Sequence, residues 1–299
     1  MVVAPLTLAS LALATLVIAA LPFLIYRQLR EPLALRPRDA IAGVAVFALF
    51  AMVIERALND YLLRGNETTA ALLAHPLAFV VYGALAAGVC EEVGRFLGMR
   101  LLMKRAAARP GVRSKASADS NAGVDASADT STVASTAAKA RTAAMRADDG
   151  AALGYGLGHG GAEAWMVGVL VQLQWLVFAV LENRGQLGDY LANLPSEAVM
   201  RVHLILASLT PQLAGIFALE RIAALVFQIG LSVLMWRGVR AGSRAILPVA
   251  IVAHALIDVP AAMTQARLLP LAAADTIYAV AAVFVVGLLI RNYRRPDAA

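Results

Sequence analysis

Seven apolar runs dominate the chain: residues 2–26, 39–61, 77–102, 150–181, 212–236, 245–265 and 271–293. Each is about 20 residues or longer, the length a helix needs to cross a bilayer. Backbone groups in lipid must be satisfied within the segment itself, so every run reads as a helix rather than an isolated strand. Composition agrees: 60% of the 299 residues are hydrophobic and 15% are charged. A mean hydropathy of +0.72 is foreign to ordinary soluble domains. The expected fold class is therefore all-α, a polytopic membrane protein with seven transmembrane helices in one bundle.

Charge orients the bundle. Nineteen basic residues follow the first, third, fifth and seventh runs, among them Arg27, Arg30, Arg36, Arg38, Arg100, Lys104, Arg105, Arg237, Arg240 and Arg291. The loops between hold four: Arg64, Arg184, Arg201 and Arg267. The positive-inside rule then puts the N-terminus outside and the C-terminus in the cytoplasm of a bacterial inner or plasma membrane. The net charge of +6 describes cytoplasmic loops near anionic lipid, with no nucleic-acid partner implied.

Three stretches organise the chain. Residues 1–104 carry helices one to three with a double glutamate; 105–149 form a loop; 150–299 carry helices four to seven. The loop, "RSKASADSNAGVDASADTSTVASTAAKA" at its centre, has no apolar period and is expected to be disordered and cytoplasmic. Asp148 and Asp149 are candidate caps for the fourth helix. "SEAVMRVHLILASL" (196–209) reads as an amphipathic helix on the membrane surface, with Ser196 as its N-cap and His203 interfacial. The single cysteine, Cys90, excludes an intrachain disulfide and reads as a packed thiol. No internal repeat supports a repeat-built transporter.

Function is sought where polarity is expensive. Ionisable side chains near mid-bilayer cost a few kcal/mol each, yet the third helix carries Glu91, Glu92 and Arg95, the fourth His159 and Glu163, and the sixth His254 and Asp258. Residues four apart share a helix face, so His159/Glu163, His254/Asp258 and Glu91/Arg95 each make one polar edge at similar depth. Glu220–Arg221 and Glu55–Arg56 are adjacent opposite charges, read as paired helix glue; for Glu220–Arg221 a role in the site stays equally open. Gly154, Gly156, Gly158, Gly160 and Gly161 around His159 let another helix approach closely. Pro260 is placed to kink the sixth helix.

The motifs EEVGR (91–95), GLGHGGAE (156–163), ALERIAALVFQIGLSVL (218–234) and HALID (254–258) resemble those of the YhfC-type intramembrane protease family. That family is related to the CAAX-protease and bacteriocin-processing group of glutamate-dependent membrane proteases. The resemblance implies that Glu91 and Glu92 activate water, with Arg95 a turn later, while His159 and His254 bind metal or stabilise the oxyanion. Relative to the broader group, the arginine follows the double glutamate after two residues rather than three, and Gln228 stands where a histidine is expected.

Two mechanisms fit these residues. In one, His159, His254 and a carboxylate (Glu163, Asp258 or Glu92) hold a divalent ion, zinc foremost, with one position open for water. In the other, Glu91 or Glu92 is a metal-free general base. Both make the chain an intramembrane endopeptidase acting on a membrane protein or lipidated peptide. The competing class is a proton- or metal-ion-coupled transporter, or a metal-binding sensor. The outer half of the helices looks apolar beyond Glu55–Arg56, which favours a closed, one-sided chamber. The oligomeric state is not legible.

Overall fold

The computed structural model describes residues 2–107 and 149–293. All regular structure among them is helical, and seven helices are long and apolar enough to cross a membrane. They are α1 (Pro5–Leu29), α2 (Pro37–Gly65), α3 (Pro76–Arg105), α4 (Asp149–Asn183), α5 (Pro211–Arg240), α6 (Ile246–Gln265) and α7 (Leu271–Tyr293). Each lies within a few residues of the expected run, because spanning length is set by the bilayer and not by side-chain detail. The protein is a multi-pass membrane protein. Its outward faces are apolar, as at Leu13, Leu16 and Phe23 on α1 and Val280, Val283 and Phe284 on α7. Most of the expected disordered loop, with Asp148, lies outside the described residues.

Local chemistry explains the helix ends and irregularities. Proline opens α1, α2 and α5, where its missing N–H costs nothing. Thr210 caps α5 by accepting from the Leu213 N–H at 3.2 Å. Three wide π-type turns interrupt the spans, at Phe50–Glu55 and Tyr61–Gly65 in α2 and Ala164–Val169 in α4. Such turns often mark functional sites. α6 runs on through buried Pro260, and the Ala261 N–H one residue later turns to the Tyr278 hydroxyl at 3.0 Å.

One assignment at a helix start is corrected. The surface helix is present as Ser196–Ser208, but Pro195 is its cap residue and makes no side-chain cap bond. Ser196 is already helical and has no capping role. The described part of α4 begins at Asp149, whose carboxylate accepts from Arg237 at 3.2 Å.

Helix packing places the site. α3 runs along α6, α1 along α5, and α5 along α7. The glycine-rich first half of α4 is wedged between α2 and α5. A Cβ on Gly158 would run into the backbone of Ala40, and one on Gly156 would come within 2.9 Å of the Ile229 Cα. Near the arginine-rich loops Met99, Tyr155, Ile229, Val233 and Trp236 pack as one apolar core, beside an apolar cavity of about 520 Å³ between α1, α2 and α4 that Tyr26, Ile41 and Leu157 help to line.

Candidate active site

Close backbone approach brings four helices to one layer. On α3, Gly88 faces α6 so closely that a Cβ there would meet the Ile251 carbonyl at 3.0 Å. This contact sets His254 against α3, with Nδ1 2.8 Å from Glu92 Oε1. On α2, a Cβ at Gly43 would meet the His159 backbone N at 2.7 Å, which seats α4 with its histidine pointing inward. His159 is fully buried, edge-on to Phe47 at 5.2 Å between ring centroids.

Glu91 and Glu92, one residue apart, enter different networks. Glu91 Oε2 lies 2.9 Å from His159 Nε2 and accepts from Gln228 Nε2 at 3.0 Å. Gln228 also donates to Glu163 at 2.8 Å and accepts from Arg95. Glu92 is completely buried between His254 and Arg95, whose nearest guanidinium nitrogen is 3.1 Å away. Arg95 is itself fully buried and lies 3.9 Å from Glu91. A charge buried this deeply is tolerable only with partners, and the two carboxylates supply them. His254 completes the chain through Nε2, 3.5 Å from Asp258.

A cavity of about 540 Å³ begins at this layer. Its walls include Glu91, Glu163, Gln228, His254 and Asp258. It continues to Thr264, Gln265 and Leu271, at the ends of α6 and α7 farthest from the arginine-rich loops. Glu92, Arg95 and His159 are not part of its lining. Of the five expected catalytic residues, Glu91 and His254 therefore reach the open space, and the other three stand behind them.

The expected metal ligands separate in the same way. Glu163, His254 and Asp258 line the cavity, whereas His159 lies behind Glu91. Among the described residues no three His, Cys, Asp or Glu side chains converge as a metal-holding group. The donor types suit a divalent ion, but His159 Nε2 and His254 Nδ1 each face a separate glutamate. As arranged, these residues do not fit a metal centre.

Other partner assignments change. Arg221 turns from Glu220 to Glu163, 3.4 Å away. Glu55 turns into the cavity and accepts from Asn59 at 3.3 Å, while Arg56 is exposed. His159 and Glu163 bond to different partners instead of acting as one edge. The half of the chamber farther from the arginine-rich loops is polar rather than apolar, through Asn59, Tyr82, Glu220 and Tyr278. Asn59, Tyr82 and Tyr278 were invisible to a search for charged pairs. Cys90 is buried and free of any disulfide.

The YhfC intramembrane metalloprotease family matches this chain over residues 17–111 and 138–279. A Bacillus subtilis (strain 168) protein described as the uncharacterized membrane protein YhfC is 31% identical over 236 residues, covering 78% of this chain and 75% of that protein. No solved structure matches. With most of its length matched from α1 to α7, the chain belongs to the YhfC intramembrane metalloprotease family.

Proposed function

We propose that this protein is an intramembrane endopeptidase in which Glu91 activates the attacking water, with a membrane protein or lipidated peptide as substrate. One observation carries the reading. Of two adjacent glutamates, Glu91 alone lines the cavity, and it does so held by His159 and Gln228 at hydrogen-bond distance. A general base must be both oriented and accessible to water, and Glu91 meets both demands.

The remaining groups take roles from their positions. His159 and Gln228 fix the Glu91 carboxylate. Glu92 and Arg95 hold each other and fix His254, whose Nε2 edge faces the cavity beside Asp258. From there His254 is placed to donate to the oxygen that gains charge when a peptide carbonyl is attacked. Glu163, tied to Arg221 and Gln228, sets the amide that presents Glu91.

The family's description implies a metal ion. Since the donors do not converge, no step here runs through one. The polar cavity runs away from the arginine-rich end, where the core and the neighbouring cavity are apolar, and this argues against a polar transport path that must open to both faces. The test is proteolysis of membrane-inserted reporter peptides by the reconstituted protein and its Glu91→Gln and Glu92→Gln variants. Loss in Glu91→Gln with a folded protein supports the assignment; full activity of that variant removes it. Elemental analysis of wild type beside His159→Ala and His254→Ala addresses the ion. A stoichiometric divalent ion lost in both variants would mean that His159 and His254 share one metal site.

A further inference from the structure

The apolar cavity between α1, α2 and α4 shares no wall residue with the polar one. Its volume, about 520 Å³, is that of a pocket for a small organic ligand. Phe23, Tyr26, Ile41, Val44, Leu157 and Trp165 line it, and no charged side chain does. Its floor is made by the glycines of α4. Gly158 lies against the backbone of Ala40 on α2, and a Cβ on Gly161 would meet Pro22 of α1 at 3.2 Å. α1 and α2 therefore flank a strip of α4 that carries almost no side chain. His159 and Glu163 leave the other side of α4, toward Glu91 and Gln228.

The groove faces lipid at the side, where Phe23 is 63% and Ile41 66% exposed on membrane-crossing spans. Along the bundle it is confined to one leaflet. From Pro37 to Val44, both on its wall, are seven residues of α2, about 10 Å of helix rise against a hydrocarbon half-thickness of about 15 Å. Its shallow end is basic. Arg30 follows Tyr26 by four residues and continues the same stripe of α1; Arg36 immediately precedes Pro37. Both are exposed. Between residues 27 and 39 stand four arginines, Arg27, Arg30, Arg36 and Arg38, against two acids, Glu31 and Asp39. Asp39 is engaged by Arg38 at 3.4 Å, so the mouth keeps a surplus of positive charge.

We propose that this groove binds one anionic phospholipid of the leaflet on the arginine-rich side. An acyl chain lies on the α4 glycines between α1 and α2, and Arg30 and Arg36 hold the phosphate. The two ends of the site ask for the two ends of that molecule. An uncharged wall open to lipid takes a hydrocarbon chain, and guanidinium groups match phosphate oxygens in pairs. Basic sites between spans take anionic headgroups on the same grounds. The lipid chain of a lipidated substrate fits less well, because it would hold its peptide on the side of α4 away from Glu91.

The test uses the full chain, stripped of lipid in detergent and titrated with palmitoyl-oleoyl phosphatidylglycerol or the matching phosphatidylcholine. Native mass spectrometry counts the lipids bound. One phosphatidylglycerol is expected to bind about tenfold more tightly than phosphatidylcholine. Arg30→Gln with Arg36→Gln is expected to abolish that preference, whereas Arg240→Gln with Arg291→Gln, on other helices, keeps it. Ile41→Trp with Val44→Trp fills the groove, leaves the arginines in place, and is expected to remove the tight lipid. Equal binding of the two lipids overturns the proposal. So does a preference that survives loss of Arg30 and Arg36, which would place the lipid at the other arginine-rich loops, or one that survives the two tryptophans. Should the tryptophan variant not fold, phosphatidylglycerol with a photoreactive acyl chain replaces it. Crosslinks to the lining residues of α1, α2 or α4 support the site, and crosslinks confined to other helices overturn it. A palmitoylated neutral peptide that displaces the phosphatidylglycerol at equal concentration would assign the groove to a lipidated substrate and overturn the phospholipid.

Discussion

Between the Glu91 layer and the arginine-rich loops the helices close on one another, glycine against backbone, around Met99, Tyr155 and Trp236. Beyond that layer the same helices part around a cavity of about 540 Å³ with polar walls. The difference lies in what fills the space between axes. Toward the loops it is taken by backbone and large apolar side chains; beyond the layer it is left to hydrogen-bonding groups. Glu91 and Glu92 sit on the boundary. Adjacent helical residues point about 100° apart, so one acid belongs to the open part and the other to the closed part.

Breaking that pair gives the largest effects. Glu91→Gln is expected to slow peptide hydrolysis by about 10²–10⁴-fold, the usual contribution of a positioned base, with little change in folding. Glu92→Gln is expected to act chiefly on stability. It leaves the fully buried Arg95 short of a counter-charge, and removing one partner of a buried pair costs about 3–5 kcal/mol. Measured side by side, turnover in nanodiscs and unfolding in mixed detergent should report opposite rankings. Equal loss of activity in two equally stable variants would erase the distinction between the acids.

The next effect belongs to the closed part alone. Gly158→Ala puts a methyl group into the Ala40 backbone, which no rotamer can relieve. A destabilisation of about 1–3 kcal/mol is expected from such overpacking, and His159, one residue on, should be displaced from Glu91. Unfolding in mixed detergent measures the first consequence and reporter cleavage the second. A variant as stable as wild type would mean that α2 and α4 are not in backbone contact.

The same geometry explains what was legible in the sequence. Bilayer thickness imposes helix length whatever the side chains, so all seven spans could be read directly. The polar layer was legible because Glu91, Glu92, His159 and His254 are out of place in lipid. Partners were not legible. Glu55–Arg56 and Glu220–Arg221 looked paired because they are adjacent, yet adjacency on a helix separates side chains around the axis. The wide turn at Phe50–Glu55 changes the number of residues per turn just before Glu55, so helical counting could not aim that side chain. Nor could it show that His159 and Glu163, four apart, bond to different partners.

The smallest effect sharpens the contrast from the open side. Gln265 ends α6, is exposed, and lines the far part of the cavity. Replacing it with alanine removes no packing and no ion pair, so stability should stay within about 0.5 kcal/mol of wild type. Turnover of a reporter peptide should be equally unmoved, because the Glu91 layer lies some way along the cavity. If Gln265→Ala instead destabilises as much as Gly158→Ala, the far part of the bundle carries packing that its open geometry does not supply. The boundary at Glu91 would then separate two kinds of chemistry but not two kinds of packing.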